Sequence, residues 1–121
     1  MTKERPSTKE LLKTILEVLD ESKALDIKTL DLTELENTVF DYFVVCSGSS
    51  NIHLKSISGK VQKDVSKILK EKPLSVEGED YAQWILLDFV NIVVHIFQKQ
   101  TREHFDIESL WGDAKVTTYN S

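Results

Sequence analysis

One continuous passage, residues 42–68, restricts this chain more than any other. Tyr42-Phe43-Val44-Val45-Cys46-Ser47 is aromatic and β-branched with few polar interruptions, which predicts a central strand covered on both faces. Gly48-Ser49-Ser50 ends it. Leu54, Ile57, Val61, Val65 and Ile68 then recur at steps of three and four, predicting a long helix that stops before Pro73. A covered strand running straight into an amphipathic helix belongs in a sheet that carries helices on its faces.

The flanking segments extend that plan. Ser7-Thr8-Lys9-Glu10 has the form of a capping box, and Leu11, Leu12, Ile15, Leu16, Val18 and Leu19 follow at helical spacing, predicting a helix over 8–23. Residues 26–32 and 74–77 read as short strands, the second closed by Gly78. Gln83 to Phe89 and Ile92 to Phe97 are two apolar runs separated by Val90-Asn91, a hairpin pattern with poor turn chemistry, because Val is disfavoured at positive φ. A third helix is expected over 101–110, and an exit tail from Gly112 onward. The order is mixed α/β: a five-stranded mixed sheet flanked by helices. The expected organisation is a flexible tail over 1–6, one domain over 7–113 and a tail over 114–121. A chain of 121 residues leaves little room for a second domain.

Charge narrows the partners. Fifteen basic residues against twenty acidic give a net charge of −5, a poor balance for general binding to phosphate backbones. Work near nucleic acid would fit docking on a basic protein better. The only basic stripe is Lys60, Lys63, Lys67 and Lys70 on the long helix. No apolar run nears the ~20 residues of a membrane helix, and the N-terminal residues have no signal-like apolar stretch. The single Cys46 offers no internal disulfide. The reading is a cytoplasmic protein.

Few residues invite chemistry. His53, His95 and His104 pair with no second ligand at short spacing, so no metal is expected, and His95 fits a hydrogen-bonded, half-buried histidine. Ser47-Gly48-Ser49-Ser50 matches no phosphate-binding loop, and a tight turn with a serine N-cap explains it. A small nucleotide-binding enzyme using the Gly48-Ser49 turn and a carboxylate such as Asp88 is the rival reading. It lacks the paired acids that transfer chemistry needs. Asp88 closes a hairpin strand, where carboxylates bond turn amides. Glu77, Glu79 and Asp80 form an acidic cluster that could anchor a partner's Lys or Arg. Along one strand Trp84, Leu86 and Asp88 face one way, while Ile85, Leu87 and Phe89 face the other. Trp84 on an accessible sheet face has the character of a binding anchor. Trp111 reads as a hydrophobic clasp for the C-terminus.

The stretch Asp41-Tyr42-Phe43-Val44-Val45-Cys46-Ser47-Gly48-Ser49-Ser50, with His53 three residues on, closely resembles the first signature of the ribosomal silencing factor (Iojap) family. Val76-Glu77-Gly78, Trp84 to Phe89, Ile92 to Phe97, Arg102, Phe105 and Leu110-Trp111-Gly112-Asp113 resemble the second. The family usually places Gly where Val90 stands. This resemblance implies a nucleotidyltransferase-like topology lacking catalytic carboxylates, and a protein without enzyme activity or cofactor. It implies binding to ribosomal protein fourteen of the large subunit, steric blocking of subunit joining and reduced translation when nutrients are scarce. It also implies contact positions at Trp84 and Phe89, in members that often form homodimers. The acidic neighbours Glu77, Glu79, Asp80 and Asp88 extend that contact set by charge complementarity to a basic ribosomal protein.

Overall fold

A computed structural model describes residues 5–120. Helix α1 spans Thr8–Glu21, and its first turn is capped as the sequence implies, with Ser7 Oγ accepting from Glu10 N at 3.1 Å. It ends two residues before the expected boundary because Lys23 turns left-handed at φ 62°. The predicted tail over 1–6 falls outside the described residues for 1–4, and Arg5 forks onto Glu71 at 3.2 Å. Strand β1 (Leu25–Asp31) pairs antiparallel with β2 (Tyr42–Gly48), through an irregularity at Asp26, φ 49°. Helix α2 spans Asn51–Leu69.

The second half supplies β3 (Ser75–Glu77), β4 (Trp84–Asp88) and β5 (Ile92–Gln98). Beyond them come α3 (Lys99–Phe105), α4 (Ile107–Leu110) and β6 (Lys115–Thr118). The sheet has six strands in the order β3-β4-β5-β2-β1-β6, with β2 and β5 parallel and the other neighbours antiparallel. Mixed α/β stands as expected, and the five-strand count is corrected to six. The sixth strand lies in the expected exit tail: Lys115 to Thr118 add to the outer edge of β1. All four residues are exposed, so no apolar pattern announced them. The single expected third helix is two, broken at Asp106, φ 46°.

Two apolar layers follow. On one face of the sheet α1 and α2 bury Leu11, Ile15, Leu19, Leu54, Ile57 and Val61 against Val44, Ile85 and Val94. Each such side chain contributes about 1.5–3 kcal/mol of burial. Ile68, expected on that stripe, is exposed near the end of α2. On the other face Leu30, Phe43, Val45, Val93 and Phe97 meet Ile107, with Phe40 and Trp111 over them. Trp111 stands edge-on to Phe43 at 5.3 Å, the clasp that the sequence suggested. β2 is thus covered on both sides, as predicted.

Candidate functional site

On that second face the cover gives out at the β3–β4 edge. Trp84 and Leu86 project from β4 and are half-buried, whereas Ile85 and Leu87 on the opposite side are fully buried. The indole lies 4.7 Å from the Phe97 ring and 4.9 Å from the Phe105 ring, and its Nε1 donates to His95 Nδ1 at 3.1 Å. Phe105 is itself 48% exposed, so the patch runs from strand to helix. Gly78 shapes the corner. At φ +89° it lets the β3–β4 connection pass against Trp84, and a Cβ there would collide with the Trp84 carbonyl oxygen.

The six expected contact residues do not share one surface. Trp84 and Asp88 lie on this face, and Glu77, directly opposite Leu86, joins them. Phe89 points into the helical layer, on the opposite face from Trp84 as the alternation predicts, and at 7% exposure leaves little of its ring open for the contact that the resemblance implies. Glu79 accepts a hydrogen bond from Ser58 Oγ on α2 at 3.1 Å, which ties it to the helical side. Asp80 is exposed at the loop. Asp88 Oδ1 accepts from Val90 N at 2.8 Å, the turn-capping role read from the sequence. Val90 itself stands at φ 78° with Asn91 N bonded to Phe89 O, a tight γ-turn around a β-branched residue.

Two of the histidines hold hydrogen bonds within the fold. His95 is 3% exposed, more buried than expected, and burial holds its pKa down at about 4. Because Nδ1 accepts from the indole, the proton sits on Nε2, which is buried without a partner. His53 accepts from Ser49 N at its Nδ1 and, in that tautomer, donates from Nε2 to Ser22 O, joining the start of α2 to the end of α1. His104 is exposed. Among the described residues no three His, Cys, Asp or Glu side chains gather to hold a metal ion. Cys46 is buried, and burial pushes its thiol up to about 12.

The Gly48 turn is capped by Ser50, whose Oγ accepts from His53 N at 3.0 Å. A cleft of about 840 Å³ opens beside it, where the parallel β2 and β5 end. Arg102, 7% exposed, largely fills its wall: it donates to Asp26 O, Ser47 Oγ and Glu108 Oε1, each at 2.9 Å. Asp88 lies at the other end of the sheet, in register with Val93 while Gly48 pairs Gln98. Five residues at about 3.3 Å each separate them by roughly 16 Å. The two residues that the rival nucleotide reading joins are therefore far apart. The sequence reading missed the clamp formed by Arg102 and the contribution of Phe105; both depend on where α3 returns, which residue spacing does not encode.

A small mixed α/β domain with a partly open aromatic face at one edge of its sheet is the class that this fold defines. The comparisons agree on which one. The family model described as "Ribosomal silencing factor during starvation" matches residues 5–121. Ribosomal silencing factor RsfS of Bacillus subtilis is 37% identical over 110 residues, covering 89% of this chain and 90% of that protein. A crystal structure of a Chromobacterium violaceum protein superposes with a TM-score of 0.83 at 29% identity, covering 96% of this chain and 95% of that one. A Bacillus halodurans crystal structure gives a TM-score of 0.77 at 26% identity, covering 94% and 100%. The chain belongs to the ribosomal silencing factor family. Among the described residues no helix is long and apolar enough to cross a membrane.

Proposed function

We propose that this chain is a ribosome-associated regulator of translation that acts by occlusion: it docks on ribosomal protein fourteen of the large subunit and bars the small subunit from joining. The observation that carries the reading is the partly exposed indole of Trp84, held between Phe97 and Phe105 with its N–H already satisfied by His95. An aromatic anchor fixed before binding gives up little rotamer freedom on docking. Glu77 and Asp88 stand beside it and suit a basic ribosomal protein. Family membership supplies the ribosome as the setting. No chemical step is required. A micromolar Kd, about 8 kcal/mol, suffices for a small body to hold off a large one that needs the same surface.

Sedimentation of mixed ribosomal subunits with and without the pure chain tests this. The expected result is cosedimentation with the large subunit and loss of joined particles. Undiminished joining at saturating protein would overturn occlusion, and binding to large subunits depleted of ribosomal protein fourteen that is as tight as to intact ones would overturn the docking site.

A further inference from the structure

Charge is segregated in this molecule. Lys55, Lys60, Lys63, Lys67, Lys70 and Lys72 all fall within residues 51–73, where the only carboxylates are Asp64 and Glu71. Both are engaged: Asp64 pairs with Lys60 at 3.0 Å and Glu71 with Arg5 at 3.2 Å. Among the described residues no carboxylate pairs with the other five lysines. The buried stripe of α2, Leu54, Ile57, Val61 and Val65, faces the sheet, so Lys63 and Lys67 point outward. The acidic Glu77 and Asp88 share the Trp84 face on the far side of that sheet. A chain of net charge −5 therefore carries a local excess of lysine along α2, bordered by Glu79 where it accepts from Ser58, and at physiological salt exposed charges are largely screened beyond about 8 Å.

Two further observations give this face a shape. Gly59 sits in the interior of α2, where glycine weakens a helix relative to alanine, and a Cβ at that position would meet nothing within 4 Å. Internal packing does not explain it. Gly59 also lines a groove of about 610 Å³ between Gln62, Lys63 and Ser66 of α2 and the segment from Lys72 to Val76, whose Pro73, Leu74 and Val76 make part of the facing wall apolar. A missing side chain beside lysines lets an extended polyanion come close to the backbone. The apolar stripe of α2 is buried against the sheet, and its exposed Ile52 and Ile68 stand at opposite ends of the helix, so no continuous apolar face is offered to a lipid surface.

We infer that this groove and its lysines bind the phosphate backbone of RNA, by charge and shape and without reading sequence. The site is separate from the Trp84 face and does not depend on how that face docks. On a ribosomal particle it would give the chain a second foothold.

The test is fluorescence anisotropy of a short labelled RNA hairpin with the full chain, between about 50 and 200 mM salt. The wild type should bind, with affinity falling steeply as salt rises. The triple variant Lys63→Gln, Lys67→Gln, Lys72→Gln should lose roughly tenfold or more at the low-salt end, its log–log salt slope shrinking by about one per lysine. Gly59→Gln should bind the hairpin several-fold more weakly while its unfolding midpoint rises, an effect that loss of fold cannot mimic. The α1 control Lys9→Gln, Lys13→Gln should bind like the wild type. No binding by the wild type at low salt, an unchanged triple variant, or an equal loss in the control would each overturn the inference. So would tighter binding to phosphatidylserine vesicles than to the hairpin. If the chain failed to sediment with large subunits yet gave the expected hairpin pattern, the docking proposal would fall and this one would stand.

Discussion

Trp84 and His95 are diagonal neighbours across the β4–β5 pair, joined by an indole N–H that donates to Nδ1 at 3.1 Å. The bond fixes the indole and the imidazole tautomer together. Truncating Trp84 removes the anchor and leaves Nδ1 without its donor. Trp84→Ala is expected to weaken binding to isolated ribosomal protein fourteen by roughly 2 kcal/mol or more, the range of an interface hot spot. Calorimetry on a variant with unaltered circular dichroism checks it. Unchanged affinity would remove Trp84 from the interface.

His95 makes stability depend on pH in a definite direction. Its pKa is about 4 in the fold, lowered by burial from 6.5. Above 6.5 neither state is protonated there and no dependence arises. As pH falls from 6.5 towards 4 the unfolded chain takes up a proton that the folded one refuses, so stability is lost at up to about 1.4 kcal/mol per unit. Urea unfolding at intervals across that window should show a shallower pH slope for His95→Gln than for the wild type. Parallel slopes would contradict the assignment.

The hairpin tip should improve on mutation. Val90 is 52% exposed and held at φ 78°, a conformation costing a β-branched residue about 1–2 kcal/mol. Val90→Gly removes that strain at little loss of burial, against a smaller entropic penalty. A net gain of about 1 kcal/mol and a melting temperature higher by a few degrees are expected. A lower melting temperature would mean that the valine side chain contributes packing that outweighs its strain.

Arg102 clamps β1, β2 and α4 through Asp26, Ser47 and Glu108. Arg102→Met leaves those acceptors buried or half-buried without their donor, at an expected cost of about 3 kcal/mol in chemical denaturation. Because α3 also carries Phe105, near-ultraviolet circular dichroism of the aromatic cluster should change too. A variant as stable as the wild type would show that the clamp is dispensable.

The acidic loop should act on association rate unevenly. Glu77, Glu79 and Asp80 are all exposed, but Glu79 alone is tied to α2, through Ser58. Neutralising Glu77 and Asp80 is expected to slow association with ribosomal protein fourteen by several-fold at low salt and to flatten its salt dependence. Glu79→Gln should change the rate by less than about twofold. Stopped-flow traces that rank the three residues alike would refute this division.

How far the sequence led depends on where each element sits. β2 and α2 were legible because burial on both faces, and on one stripe, writes a continuous or periodic apolar pattern. The hairpin was legible for the same reason, and the alternation along β4 already set Phe89 against Trp84. It did not say which face the helices cover; the contact role of Phe89 came from the family resemblance, and its ring packs in the core. β6 left no trace because its four residues are exposed on both sides. The break at Asp106 was hidden because its left-handed turn interrupts no apolar spacing. Arg102 gave no local signal, since its partners lie 6, 55 and 76 residues away.

The parallel junction of β2 with β5 has a bearing on biosynthesis. Tyr42 meets Ile92, so the middle of the molecule cannot close until a strand made half a chain later has emerged. The outer flank of β1 stays bare longer still, waiting for Thr118. A nascent copy therefore keeps the outer edge of β1 unzipped until the last of the six strands has emerged.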